Sequence, residues 1–202
     1  MRSSNCQAAE PVLRRVRREY AYSRYAPLAE LRLADCLMNE KKFQEAISAF
    51  RIFIRTRPQH EDVPYAAFKV AECYFDQIPS DTIFQPPAEE RDQSSTRDAV
   101  RQLRRFALDY PDDARVGEAT RMMNAATTLL AKHELYVASY YLDHDHPAAA
   151  VDRLTSAIAT YRGADIEPQM MLLLGRVYLR MRDTTNARRT FELLVERHPR
   201  SG

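Results

Sequence analysis

Leu33–Pro58, LADCLMNEKKFQEAISAFRIFIRTRP, decides the fold. Counting from Ala34, Ala46 follows at +12, Phe50 at +16, Phe53 at +19 and Pro58 at +24. The same ruler fits near the other end of the chain, on Gly175, Ala187, Phe191, Leu194 and Pro199. A third copy is keyed on Ala138, Tyr141, Ala150, Leu154 and Ala157, with Arg162 beside Gly163 in place of the final proline.

The residue types explain the ruler. Two antiparallel helices approach closely only where side chains are small, so Ala34 and Ala46 mark a crossing. Residues at +16 and +19 share one face of the second helix and fill the groove beside it. The proline at +24 has no N–H to continue a helix and stops it. This is the spacing of a tetratricopeptide repeat, a helical hairpin of about 34 residues that needs neighbours to cover its apolar face. The expected fold is all-α, a solenoid of about four repeats plus a leading half-repeat helix.

Composition agrees. The chain is 45% hydrophobic and 29% charged with four glycines, which suits a helical protein. A net charge of +2 in 202 residues gives no electrostatic case for nucleic acid. Three cysteines, Cys6, Cys36 and Cys73, are too few and scattered for a disulfide framework or zinc site, and Cys36 and Cys73 read as two small semi-buried side chains. No apolar run is long enough to span a membrane. The first thirty residues carry Arg2, Glu10 and Arg14–Arg18 where a signal peptide has its apolar core.

In chain order, residues 1–10 read as disordered, 11–113 as an N-terminal repeat half, and 114–202 as a C-terminal half. From Pro11, Val12, Leu13, Val16 and Tyr20 define one face of an amphipathic helix, the second half of a repeat whose first half is absent. Pro27, Pro64 and Pro168 each sit where a helix opens. Repeat two starts on Ala71, but its matching Ala99, Leu103, Phe106 and Pro111 come sixteen residues late. The excess is a proline- and serine-rich loop inserted at 78–95, with Ser95 or Thr96 capping the next helix. Residues 114–143 form one long helix or two in series.

The search for chemistry yields little. Asp143-His144-Asp145-His146 gathers ligand types, but adjacent residues in a short turn rarely converge on one ion. His133-Glu134 has no nucleophile beside it, and no glycine-rich phosphate loop exists. The chain therefore reads as a non-enzyme without metal or cofactor. What remains is a wall formed by the first helices of repeats one and two. Offsets −6, −3, +1 and +4 place Leu28, Leu31, Asp35 and Met38 on it, with Tyr65, Phe68, Glu72 and Phe75. Such a wall suits a peptide with large side chains.

Several segments resemble the family of the outer-membrane assembly lipoprotein BamD: FIRTRPQHEDVPYA at 53–66, RDQSSTRDAV at 91–100, DYPDDARVGEAT at 109–120, and above all LAKHELYVASYYL at 130–142, running on into AAAVDRL at 148–154. The likeness covers roughly residues 11–200. It implies a non-enzymatic scaffold on the periplasmic face of the outer membrane. Its C-terminal repeats would dock on POTRA domains of a BamA-like barrel subunit, and its N-terminal repeats would receive unfolded outer-membrane protein segments. It also implies roles at the partner contact for Arg153, the arginine after the tyrosine pair, and for Tyr140. Family members carry a lipid anchor at a lipobox cysteine; Cys6 follows Arg-Ser-Ser-Asn, which is not a lipobox. The alternative is a general peptide-binding repeat adaptor unrelated to barrel assembly.

Overall fold

The computed structural model describes residues 3–80 and 85–199. Among them are nine α-helices and no strand: α1 Ser3–Glu19, α2 Ala26–Asn39, α3 Phe43–Thr56, α4 Val63–Phe75, α5 Ser94–Asp109, α6 Val116–Asp143, α7 Pro147–Thr160, α8 Glu167–Arg180 and α9 Thr184–Arg197. A single 3-10 turn, Ala88–Glu90, lies in the inserted loop. No helix among the described residues is long and apolar enough to cross a membrane.

Most of the ruler residues form the core, while Tyr141, Phe191 and Leu194 are half-buried. Ala34, Ala46, Phe50 and Phe53 are all buried, as are Ala99, Leu103, Phe106, Ala138, Ala150, Leu154 and Ala157. Gly175 shows why the first position is small: a Cβ there would run into the Phe191 ring. Prolines in the first turn open α2, α4, α7 and α8, where a missing N–H costs nothing. Arg57, just past α3, returns to α2 with a bidentate pair to Glu30 at 2.6 and 2.9 Å. Residues 114–143 resolve into the single 28-residue helix α6.

One regularity was not read from the sequence. Lys41, Asp145 and Arg182, each at +7 on the ruler, have φ of 59°, 60° and 60°. The next N–H in each case, from Lys42, His146 or Asp183, reaches back to the carbonyl of Leu37, Tyr141 or Tyr178 at 2.9, 2.8 and 2.9 Å. Three hairpins thus close through the same left-handed residue, without glycine.

The N-terminal segment corrects three expectations. The helix begins at Ser3, not Pro11, so the described part of residues 1–10 is ordered; residues 1 and 2 lie outside the described residues. Val12 and Tyr20, expected on the packed face, are 63% and 54% exposed, while Cys6 is buried and Leu13 and Val16 are half-buried. Finally, Cys6 and Cys36 form a disulfide with Cα atoms 5.4 Å apart, which joins α1 to α2. Only the packing of α1 on α2 brings these cysteines together, since thirty residues separate them.

Contacts group the chain into two compact units, residues 1–78 with 98–123 and residues 79–97 with 124–202. The inserted loop, placed by the sequence in the N-terminal half, groups with the C-terminal residues. In the first unit, α1, α2, α3 and α4 pack in sequence, and Phe68 and Ala71 meet Leu103, Phe106 and Ala119 in a second core. In the second unit, α6, α7 and α8 share a core built on Ala138, Leu154 and Met170.

The loop is held by a buried polar network. Gln93 donates to the Ala88 and Arg91 carbonyls at 2.7 and 2.9 Å and accepts from the Thr96 hydroxyl at 2.9 Å. Gln93 and Thr96 are both buried. Helix α5 starts at Ser94, earlier than the cap expected at Ser95 or Thr96, and Asp92 accepts the Ser94 N–H at 3.0 Å. Residues 81–84 of the loop lie outside the described residues.

Candidate functional site: a notch around Arg153

LAKHELYVASYYL forms the second half of α6, and its successive residues His133 and Glu134 hold two different partners. His133 Nδ1 lies 2.6 Å from the Glu89 carbonyl oxygen and fastens the inserted loop to α6. Glu134 Oε2 lies 2.5 Å from Nε of Arg153 on α7. That pair is a contact of charge, because the buried Nε–H has no aligned acceptor. Glu134 is 18% exposed and Arg153 41%, so the guanidinium stands half in solvent.

The pair lines a notch of about 400 Å³ together with Tyr141, Asp152, Ser156, Thr160 and Tyr161. Burial raises the Tyr161 phenol above its ordinary pKa, and Glu134 pushes the same way against Arg97 and Arg153. Tyr161 therefore stays a neutral hydrogen-bonding group. Chemically, the notch offers a half-solvated guanidinium that carries Glu134 on its Nε, with Asp152 and several hydroxyls on the rim. This suits a carboxylate, which the planar fork of a guanidinium can grip at two points.

Tyr140 is half exposed and not among the notch residues. Its ring stacks on His144 at 4.0 Å, and His144 Nδ1 lies 2.8 Å from the Tyr140 carbonyl oxygen. Tyr141 is the tyrosine that shares the notch with Arg153. In the 143–146 turn, Asp145 pairs with Arg180 at 2.9 Å, and His146 stands at the N-cap of α7 without a side-chain cap bond.

The wall of the first unit differs from the apolar surface expected. Leu31 and Phe68 are 2% and 4% exposed and belong to the cores, so neither faces a ligand. Phe75 packs partly buried against the second core. Leu28 is 46% exposed, while Met38 and Tyr65 line a cleft of about 480 Å³. Apart from Phe43, its other residues are polar or charged, including Arg32, Asp35, Lys69, Glu72 and Asp76.

Four of these five charges are paired. Arg32 meets Asp35 at 3.0 Å, Lys69 meets Glu72 at 2.6 Å, and the Tyr65 hydroxyl donates to Asp35 at 2.7 Å. The Tyr65 phenol is held far above its usual range by burial and by Asp35. Arg115 lies over the Tyr65 ring and grips Asp113 at 2.6 and 2.7 Å. The stripe lining this cleft runs through −2, +1 and +5 on the ruler, and the charges at 32, 35, 69, 72 and 76 were its sequence signal. Cys73 beneath it is buried, and burial pushes its thiol up to about 12, so it remains protonated.

Comparison with known proteins bears on this arrangement. A family model described as an outer membrane lipoprotein, YfiO, matches residues 1–194. The outer membrane protein assembly factor BamD of Xylella fastidiosa is 25% identical over 98% of this chain and 70% of its own length. The BamD of Caulobacter vibrioides is 25% identical over 96% of this chain and 61% of its own length. That of Neisseria gonorrhoeae is 23% identical over 100% and 76%. Among solved structures, a MamA fragment from Desulfovibrio magneticus RS-1 matches with a TM-score of 0.39 and 16% identity, covering 99% of this chain and 93% of that one. The chain belongs to the YfiO family of outer-membrane lipoproteins, the family of the assembly factor BamD.

Proposed function

We infer that this protein is a non-catalytic scaffold subunit of the machinery that assembles β-barrel proteins in the outer membrane, working at its periplasmic face. The family match along the chain carries this reading. In it, the Arg153 notch takes an acidic side chain from a POTRA domain of a BamA-like subunit, and Tyr140 borders the contact. The half-solvated guanidinium supports that assignment, since its planar fork can grip an incoming carboxylate at two points. The mixed-charge cleft around Tyr65 and Met38 receives segments of unfolded outer-membrane proteins. Its paired charges favour polar, backbone-like contacts over large apolar anchors.

Affinity capture from detergent-solubilised envelopes tests the docking. The parent protein is expected to recover the barrel subunit, and an Arg153→Glu variant to lose it. Recovery by neither would mean that the scaffold serves another partner.

A further inference from the structure

Helices α3 and α5 leave a slot of about 290 Å³ between them, floored by α4. Its floor is apolar, with Val70 and Phe106 buried and Ile54 and Ala67 half-buried. Its rim is basic. Arg51 and Arg55 stand on α3 and Arg105 on α5, against the single carboxylate of Asp109. Arg105 pairs with that carboxylate at 3.3 Å. Neither Arg51 nor Arg55 has a carboxylate within ion-pair distance among the described residues; Arg51 donates to the Tyr74 hydroxyl at 3.2 Å instead.

Two like charges at i and i+4 work weakly against a helix. Arg55 gains something from its place in the last turn of α3, but Arg51 sits a turn earlier. Arg51 also lies over the Tyr74 ring, yet no carboxylate among the described residues neutralises either arginine, and such charges beside a slot are where a binding role is to be sought. The two arginines are four residues apart on α3, so their Cα atoms differ by about 6 Å along the axis. Side chains at i and i+2 of an extended chain are about 6.6 Å apart. The match is close.

We propose that this slot binds an extended acidic segment of a partner protein, one that alternates carboxylate and apolar side chains. The carboxylates pair with Arg51 and Arg55, and the apolar side chains cover the half-buried Ile54 and Ala67. The surface is separate from the Arg153 notch and does not depend on the role given to it.

A fluorescein-labelled octapeptide of alternating glutamate and leucine is the probe, with its lysine–leucine counterpart as control. The full chain is expected to bind the glutamate probe at least about tenfold more tightly than the lysine probe. An Arg51→Gln/Arg55→Gln variant, checked for an unchanged melting temperature, is expected to lose that preference. Raising salt from about 50 to about 500 mM should weaken the parent and leave the variant nearly unaffected. Equal binding of both probes, or a variant that binds like the parent, overturns the proposal. So does binding to phosphatidylglycerol vesicles that the glutamate probe fails to displace, since the surface would then be one for lipid.

Discussion

Glu167 opens α8 and is nearly sealed from solvent, with 2% of its side chain exposed. It accepts the Gly163 N–H at 2.6 Å, fixing the turn after α7, where Gly163 has φ 83°. It also accepts from Arg197 Nη1 at 3.1 Å and lies 3.5 Å from His198 Nε2, both at the far end of α9. One carboxylate thus ties three segments together. In Glu167→Ala the turn N–H loses its acceptor, and a charge-assisted bond disappears; each such loss costs about 1.5–3 kcal/mol. Arg197 keeps 28% exposure and is partly rehydrated, which discounts its share to under about 1 kcal/mol. The sum is about 2–4 kcal/mol. At about 2–4 °C per kcal/mol for a chain of this size, the melting point should fall by about 4–16 °C. Far-UV circular dichroism at neutral pH reads this directly. A variant that melts within about 1 °C of the parent would show that Glu167 clamps nothing.

Other consequences are equally open to measurement. Cys36→Ser removes a cross-link spanning thirty residues, and loop-closure entropy sets the loss of stability at about 3–4 kcal/mol, read by urea unfolding without reductant. Arg182→Gly relieves a left-handed residue that costs about 1–2 kcal/mol but adds about 0.5–1 kcal/mol of unfolded-state freedom, so a net gain of about 0.5–1 kcal/mol is expected. A loss would mean that the Arg182 side chain matters more than its backbone. Hydrogen bonds from Arg115 hold the Asp113 carboxyl below the usual carboxylate range. A depressed acid stabilises the fold above its unfolded pKa of about 3.9 and loses this as pH falls through the folded value. Asp113→Asn should therefore lower the melting point at pH 7, and the deficit should shrink below about pH 4. A deficit independent of pH would mean that the charge is irrelevant.

The repeat was legible because small and bulky residues recur at offsets set by helix packing. Ala34, Ala46, Phe50 and Phe53 are therefore as buried as the ruler demands. Helix starts followed from Pro27, Pro64 and Pro168, for the same local reason. The wall was misjudged because offset −3 carries large apolar residues, and Leu31 and Phe68 turn into the cores. Apolar residues mark what is covered; the charges at Asp35, Lys69 and Glu72 marked the stripe that lines the cleft. The Cys6–Cys36 bond is a long-range contact that no local spacing reveals. In the notch, Arg153 was named through the family resemblance, whereas Glu134 and Tyr161 emerge from the meeting of α6 and α7. Tyr141 had been read as a core position, and it serves the core and the notch at once.

The proposed role turns on Arg153, and titration of the full chain against purified POTRA domains of the barrel subunit tests it most directly. Saturable binding is expected, weakened by Arg153→Glu at least about tenfold, as when one partner of a desolvated charge pair is lost. A matching carboxylate-to-lysine change on the POTRA side should restore part of the affinity to the variant. Undiminished binding by Arg153→Glu would contradict docking through the notch, and no binding by the parent would contradict the role itself.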